Sequence, residues 1–211
     1  MQPKIKARRG EQLREHILWA AKGVFLEMGF ERASMDVVAN RAETSKRSLY
    51  AHFESKEKLF LAVIEMVRGL LLGRLSSPYA YSEKPAEALA LFCARYLEIL
   101  VFSGSIRMCR VSVAESERFP EQAKLYFDVL FTQVQSLLSA YLKSVFGMPV
   151  RASADAAQRL LGQVLYPLFP RALFGVDGLV ESIEDDPVPS NVDLKWIRKA
   201  VAELLQSIDS H

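Results

Sequence analysis

At 211 residues, half of them hydrophobic, the chain is long enough to bury a sizeable core and too apolar to be a disordered tail. Its net charge of +2 conceals an asymmetry, because residues 1–60 hold 12 Lys and Arg against 8 Asp and Glu while residues 61–211 hold 15 against 17. The apolar runs at 97–102 and 164–170 stop well short of the ~20 residues of a membrane span. No apolar signal segment follows the basic start MQPKIKARRG. Cys93 and Cys109 have neither metal-ligand nor C-x-x-C spacing, so no metal, disulfide or cofactor is implied and a cytoplasmic protein with no membrane contact is expected.

In chain order, Lys4, Lys6, Arg8 and Arg9 precede any acidic residue and read as a flexible basic arm suited to a polyanion. Ile17, Ala21, Val24, Phe25 and Met28 then form one stripe of a helix from Glu11 to Met28, closed by Gly29. Ser34 can cap a short second helix with Met35, Val38, Ala39 and Ala42 inward. A third helix begins after Thr44 and Ser45 and turns Leu49 and Phe53 to one side, and Ser55 caps a fourth that runs from Leu59 toward Leu75.

The segment SSPYAYSEKP at 76–85 gathers Ser, Pro and Tyr and is the boundary candidate. Beyond it, helices are predicted at 85–102, 105–116, 120–146, 153–174 and 191–208, punctuated by Gly104, Pro120, Gly147 with Pro149, and Gly175 with Gly178. The fold class is therefore all-α, with about nine helices and only weak strand signals. The Asp177-Gly178 pair, followed by the acidic loop SIEDDPVPS, fits a helix end better than a hairpin. Pro167 and Pro170 should kink or break the helix that holds them.

Three short helices in this arrangement match a helix-turn-helix. With Leu49 and Phe53 inward, the 3.6-residue period leaves Lys46, Arg47 and Tyr50 outward. Arg47 has the fork that pairs with guanine O6 and N7, while Lys46, Tyr50 and His52 suit phosphate oxygens. Ser34, Thr44 and Lys56 stand near helix starts, where backbone N–H groups favour an anion, and Ser45 and Ser48 complete the candidate DNA-binding set.

The stretches at 17–25, GFERASMDVVANRA at 29–42 and TSKRSLYAHFESKEKLF at 44–60 resemble the DNA-binding domain of the tetracycline-repressor (TetR) family. CRVSVAESERFPEQAKLYF at 109–127 is similar to the carboxy-terminal domain of its AefR-like branch. The resemblance implies a helix-turn-helix domain over 1–60, with the fourth helix linking from 56, and a helical effector-binding and dimerisation domain over 61–211. It further implies a homodimeric repressor that binds a palindromic operator in double-stranded DNA and is released by a small, largely apolar ligand. Glu43 departs from the family, which usually has glycine in this turn. If the position needs positive φ, the departure costs on the order of 1 kcal/mol, and a carboxylate beside phosphates weakens binding.

By the same resemblance, helices 85–102 and 120–146 enclose the effector, with Phe92, Tyr96, Arg107, Val111, Glu115, Tyr126, Leu130, Val134 and Leu165 as candidate lining. The plain alternative is a filled core with those charges on the surface. Leu161, Val164, Leu168, Trp196, Ile197, Val201, Leu204 and Leu205 exceed what one side of the last two helices needs and are the candidate dimer contact. An enzyme is not expected, because His16, His52 and His211 lie on separate segments, no nucleophile or phosphate-loop motif occurs, and Glu115 and Glu117 diverge on a helix. The alternative function is a dimeric small-molecule carrier that has lost operator binding.

Overall fold

The computed structural model describes residues 3–183, 189 and 192–209. Its helices are α1 (Pro3–Arg32), α2 (Met35–Arg41), α3 (Lys46–His52), α4 (Lys56–Arg74), α5 (Pro85–Val101), α6 (Ser103–Ala114), α7 (Pro120–Phe127), α8 (Gln133–Phe146), α9 (Val150–Leu165), α10 (Leu168–Leu173) and α11 (Leu194–Asp209). A five-residue π turn, Asp128–Thr132, joins α7 to α8, so the helix expected over 120–146 is present but locally underwound. The helix expected over 153–174 is two helices. Tyr166 and Pro167 interrupt it, since a proline lacks the N–H that would continue the ladder.

The backbone of the basic arm continues α1 back to Pro3, so this segment is helical where a flexible arm was expected. The side chains of Lys4, Lys6, Arg8 and Arg9, most of the acidic loop at 182–190, and His211 lie outside the described residues. Gly29 ends the regular helix as expected: it takes φ 74°, ψ 175°, a non-helical conformation open to glycine, and a short helical piece continues beyond this kink to Arg32.

The chain forms two compact units. The first holds the residues up to Leu70 together with Val111–Ala123, and the second holds Leu71–Arg110 and the residues from Lys124 onward. A single cut near residue 60 or at 76–85 therefore misses the return of 111–123 to the first unit.

The first unit is built on the apolar stripe of α1, with Ile17, Ala21, Val24 and Phe25 fully buried, closed by Val38, Leu49, Leu59 and Phe60. Phe30 packs against Phe25 and Phe60 at ring-centroid distances of 6.0 and 5.0 Å. Phe119 joins them at 5.1 Å from Phe30 and 5.4 Å from Phe60. Arg118 lies over Phe30 at 4.6 Å and pairs with Glu31 at 2.6 Å and Glu57 at 3.2 Å.

In the second unit α5 is buried on every side from Ala88 to Leu100, the mark of a central helix. The burial includes Arg95 and Glu98, which pair at 2.5 Å. Helices α9 and α11 pack on α5 and on each other. Val180 bridges the α5–α6 junction, where Ser103 N–H donates to its carbonyl at 2.8 Å. Arg110 donates to the carbonyls of Leu173 and Ala172 at 2.8 and 2.9 Å, and Arg171 forks onto Asp177 at 2.8 Å. The segment around Asp177-Gly178 is thus a helix end, as its sequence indicated.

Candidate functional site

The helix-turn-helix is assembled from short-range bonds that the sequence dictates. Ser34 caps α2, its Oγ accepting from Val37 N–H at 3.3 Å. Ser45 caps α3, its Oγ accepting from Ser48 N–H at 3.1 Å and meeting Ser48 Oγ at 2.9 Å. Between them the chain reverses in three residues, with Thr44 N–H donating to Ala39 O at 3.0 Å. Glu43 turns the corner at φ 46°, the left-handed value that favours glycine.

Leu49 is fully buried and Phe53 is 4% exposed, which fixes the rotation of α3. Lys46, Arg47 and Tyr50 are consequently exposed on its outward side, while Thr44, Ser48 and His52 are half-buried. Lys46 is engaged within the chain, its ammonium lying 2.7 Å from Asp36 on α2. Arg41 is forked onto Glu27 by two bonds of 2.7 Å.

Lys56 has a different role from the one expected. Its ammonium donates to the carbonyls of Phe30, Ala33 and Glu31 at 2.9, 3.0 and 3.3 Å and lies 4.3 Å from the Phe30 ring centroid. All three donors of the ammonium are then used on Phe30, Glu31 and Ala33, so the Lys56 side chain locks the scaffold, while its backbone N–H at the start of α4 is not part of that set. Asp36, Arg118 and Phe119 were missed. Their partners lie 10 to 89 residues away in the chain, beyond the reach of helical periodicity.

In the second unit a small apolar cavity of about 30 Å³ is lined by Leu71, Ile99, Val129, Leu130, Val134 and Leu137, with Leu75, Tyr96 and Gln133 completing the wall. It has room for roughly two water molecules, far less than the ~300 Å³ at which drug-sized pockets begin. Of the nine candidate lining residues, Tyr96, Leu130 and Val134 are in this wall. Tyr96 Oη donates to Leu130 O at 2.8 Å across it, tying α5 to the π turn. Burial pushes the Tyr96 and Tyr126 hydroxyls above their usual range and the Cys93 and Cys109 thiols up to about 12, so all four stay neutral.

The other six candidates lie elsewhere. Phe92 is core, 6.3 Å from the Tyr81 ring. Tyr126 is buried and donates to Ser105 O at 3.3 Å. Arg107 is exposed because α6 turns Ile106 and Met108 inward instead. Val111 and Glu115 belong to the first unit, and Leu165 is half-buried outside the wall. A larger hollow of about 560 Å³ opens at the α8–α9 turn beside Phe146, Met148, Asp155 and Arg159, and none of the nine candidate lining residues is in its wall.

The dimer candidates divide in two. Leu161, Val164, Ile197, Val201 and Leu204 are buried in the unit's own core, so the argument that one chain has too much apolar surface fails for them. Leu168 is 36% exposed, and Trp196 and Leu205 are half-buried. Among the described residues, no three His, Cys, Asp or Glu side chains gather as metal ligands, and no helix is long and apolar enough to cross a membrane.

With this geometry in hand, the chain matches the bacterial regulatory proteins of the tetR family over residues 17–63 and the AefR-like transcriptional repressor carboxy-terminal domain over 87–195. It is 46% identical over 63 residues to the HTH-type transcriptional activator FasR of Mycolicibacterium smegmatis, covering 28% of this chain and 29% of that protein. It is 26% identical over 211 residues to the HTH-type transcriptional regulator TcmR of Streptomyces glaucescens, covering 98% of this chain and 87% of that one. A crystal structure of a regulator of the same family from Mesorhizobium loti superposes with a TM-score of 0.73 over 96% of this chain and 97% of that chain at 18% identity, a likeness of fold.

Proposed function

The chain belongs to the tetR family of bacterial regulatory proteins and is a DNA-binding transcriptional regulator, not an enzyme; we propose that it acts as a homodimeric repressor of a palindromic operator. The observation that carries this reading is the outward row Lys46, Arg47 and Tyr50 on α3, held in place by buried Leu49 and Phe53. Arg47 forks onto a guanine edge in the major groove, Lys46 and Tyr50 bind phosphates, and Ser34, Thr44, Ser45, Ser48 and His52 border the backbone. Two copies of α3 then read half-sites about one helical turn, ~34 Å, or a multiple apart. Trp196, Leu205 and Leu168 are the apolar groups left for the partner copy. A regulator of transcription works beside the chromosome, in the cytoplasm.

The effector is a small, largely apolar molecule that enlarges the cavity around Tyr96, Leu130 and Val134, with the Gln133 amide as its polar handle. Its binding reaches the DNA-binding unit through Val111–Ala123, whose Arg118 and Phe119 grip Phe30, Glu31 and Glu57. An effector acts only through the difference in its affinity for the two conformers.

Glu43 at φ 46° supports a second reading, a ligand carrier without an operator. Selection of bound duplexes from a random pool, followed by fluorescence-anisotropy titration at two salt concentrations, separates the two. A palindrome bound at about nanomolar Kd with a steep salt slope supports the regulator. Weak binding with no enriched sequence favours the carrier. The direction of control is then read by transcription from the selected site with and without protein.

A further inference from the structure

Residues 34–60, which contain α2 and α3, hold five Lys and Arg against four Asp and Glu, a weak basic footprint for a surface that approaches a polyanion. Two of those five cations are committed inside the chain, Arg41 to Glu27 and Lys56 to three carbonyls. Lys46 is held differently. Its ammonium and the Asp36 carboxylate are 2.7 Å apart, yet the side chains are 62% and 56% exposed, so nothing but each other keeps them in place. Arg47 has no ion-pair or hydrogen-bond partner among the described residues. The first residue of α3 and the second of α2 therefore form a pair at the edge of the outward row, and an approaching duplex can break it.

We propose that Asp36 is a built-in competitor of the DNA backbone for Lys46. A carboxylate oxygen at 2.7 Å gives the ammonium what a phosphate oxygen would give it. Docking then exchanges one anionic partner for another, and Lys46 adds little net attraction. After the exchange Asp36 is left unpaired beside phosphates, a cost that every sequence bears alike. That uniform penalty drains the weak, sequence-independent complexes first and leaves occupancy to sites where Arg47 finds its base. The plain role of Asp36, an acid in the first turn of α2 that favours the helix dipole, predicts no gain in DNA binding on its removal.

The inference rests on the reading that α3 faces DNA, and a double-mutant cycle keeps the two apart. Full-length wild type, Asp36→Asn, Lys46→Gln and the double variant are titrated by anisotropy on a labelled duplex of arbitrary sequence across a salt series. Asp36→Ser is added as a second removal of the charge, and thermal melts confirm folding. The expected result is a gain of about two- to fivefold for Asp36→Asn and Asp36→Ser, the factor that an exposed pair supports, with a salt slope steeper by about one. The gain should be clearly smaller when Lys46 is Gln, since only the repulsion between Asp36 and the phosphates is then removed. An equal gain with Gln at 46 reduces Asp36 to a general negative charge and overturns the competition. No gain, with Lys46→Gln still weakening binding, also overturns it while leaving α3 on the DNA. If Lys46→Gln changes nothing even in the Asp36→Asn background, and Arg47→Ala changes nothing on a selected duplex, α3 is not the DNA-facing helix and the premise falls with the inference.

Discussion

In the amino-terminal unit Lys46, Arg41 and Arg118 carry their charges at the surface, each paired with a carboxylate of the same unit, whereas the carboxy-terminal cavity is walled by side chains with no charge at all. Arg95 and Glu98 are buried in that second unit, but they pair with each other and are not part of the wall. The contrast assigns a different physical language to each half. Surface ion pairs are weak, screened by salt and exchangeable, which suits contact with DNA. A neutral apolar wall is indifferent to salt and answers to shape and apolar area.

The largest effect expected is on the scaffold beneath the charged surface. Phe60→Ala removes a fully buried ring that touches Phe25, Phe30 and Phe119, and should cost about 3–5 kcal/mol in a urea melt. A loss below about 1 kcal/mol would mean that the surface ion pairs, and not the rings, hold the unit together.

Next come two cations that look alike in sequence and differ in structure. Arg47→Ala should lower affinity by about 1–3 kcal/mol at one operator base pair with stability unchanged. Lys56→Met should cost about 1.5–3 kcal/mol of stability, because three carbonyls lose a charged donor, and should leave the salt slope of DNA binding as it was. A flatter slope for Lys56→Met would return that residue to the phosphate contacts.

Glu43→Gly is smaller. It relieves a left-handed residue and removes a negative charge from the turn, so stability should rise by about 1 kcal/mol and binding to any duplex should tighten. Unchanged stability would show that the turn holds Glu43 without strain.

The smallest effect concerns pH. Cys93 and Cys109 are moved by burial from an ordinary 9.0 to about 12. A raised pKa in the folded state contributes stability that is complete below the unfolded value and is lost as pH rises through the folded one. These thiols should therefore leave stability flat between about pH 6 and 8 and erode it only from about 9 toward 12. Replacing both with Ala should remove the part of the erosion that begins near pH 9 and leave the part that the buried Tyr96 and Tyr126 hydroxyls add at higher pH, and an unchanged onset would place the cause outside the two thiols.

What the sequence made legible follows from distance along the chain. Ser34 and Ser45 cap within three residues, Leu49 and Phe53 share a helix side, and Glu43 sits in a turn of three residues, so each could be read from its neighbours. Arg118 reaches Glu31 across 87 residues, and no local pattern foretells that pairing. Periodicity shows that Phe92, Tyr126, Ile197 and Val201 face something apolar, without saying whether it is a ligand, a partner or the unit's own core. In this chain all four are buried in the core of the second unit. The bonds of the Lys56 side chain were not legible locally, because the carbonyls that hold it lie some 25 residues earlier in the chain.

The return of Val111–Ala123 to the amino-terminal unit bears on how such proteins can be recombined. A head cut out at the Ser/Pro/Tyr segment would lack Phe119 and Arg118, leaving Phe30 and Phe60 partly uncovered on what was an interior side. A chimera that grafts this head onto the body of a relative keeps the head's own packing only if the thirteen residues Val111–Ala123 travel with it. Exchange of specificity between relatives is therefore a two-piece transplant, and the second piece begins 26 residues past the obvious scar.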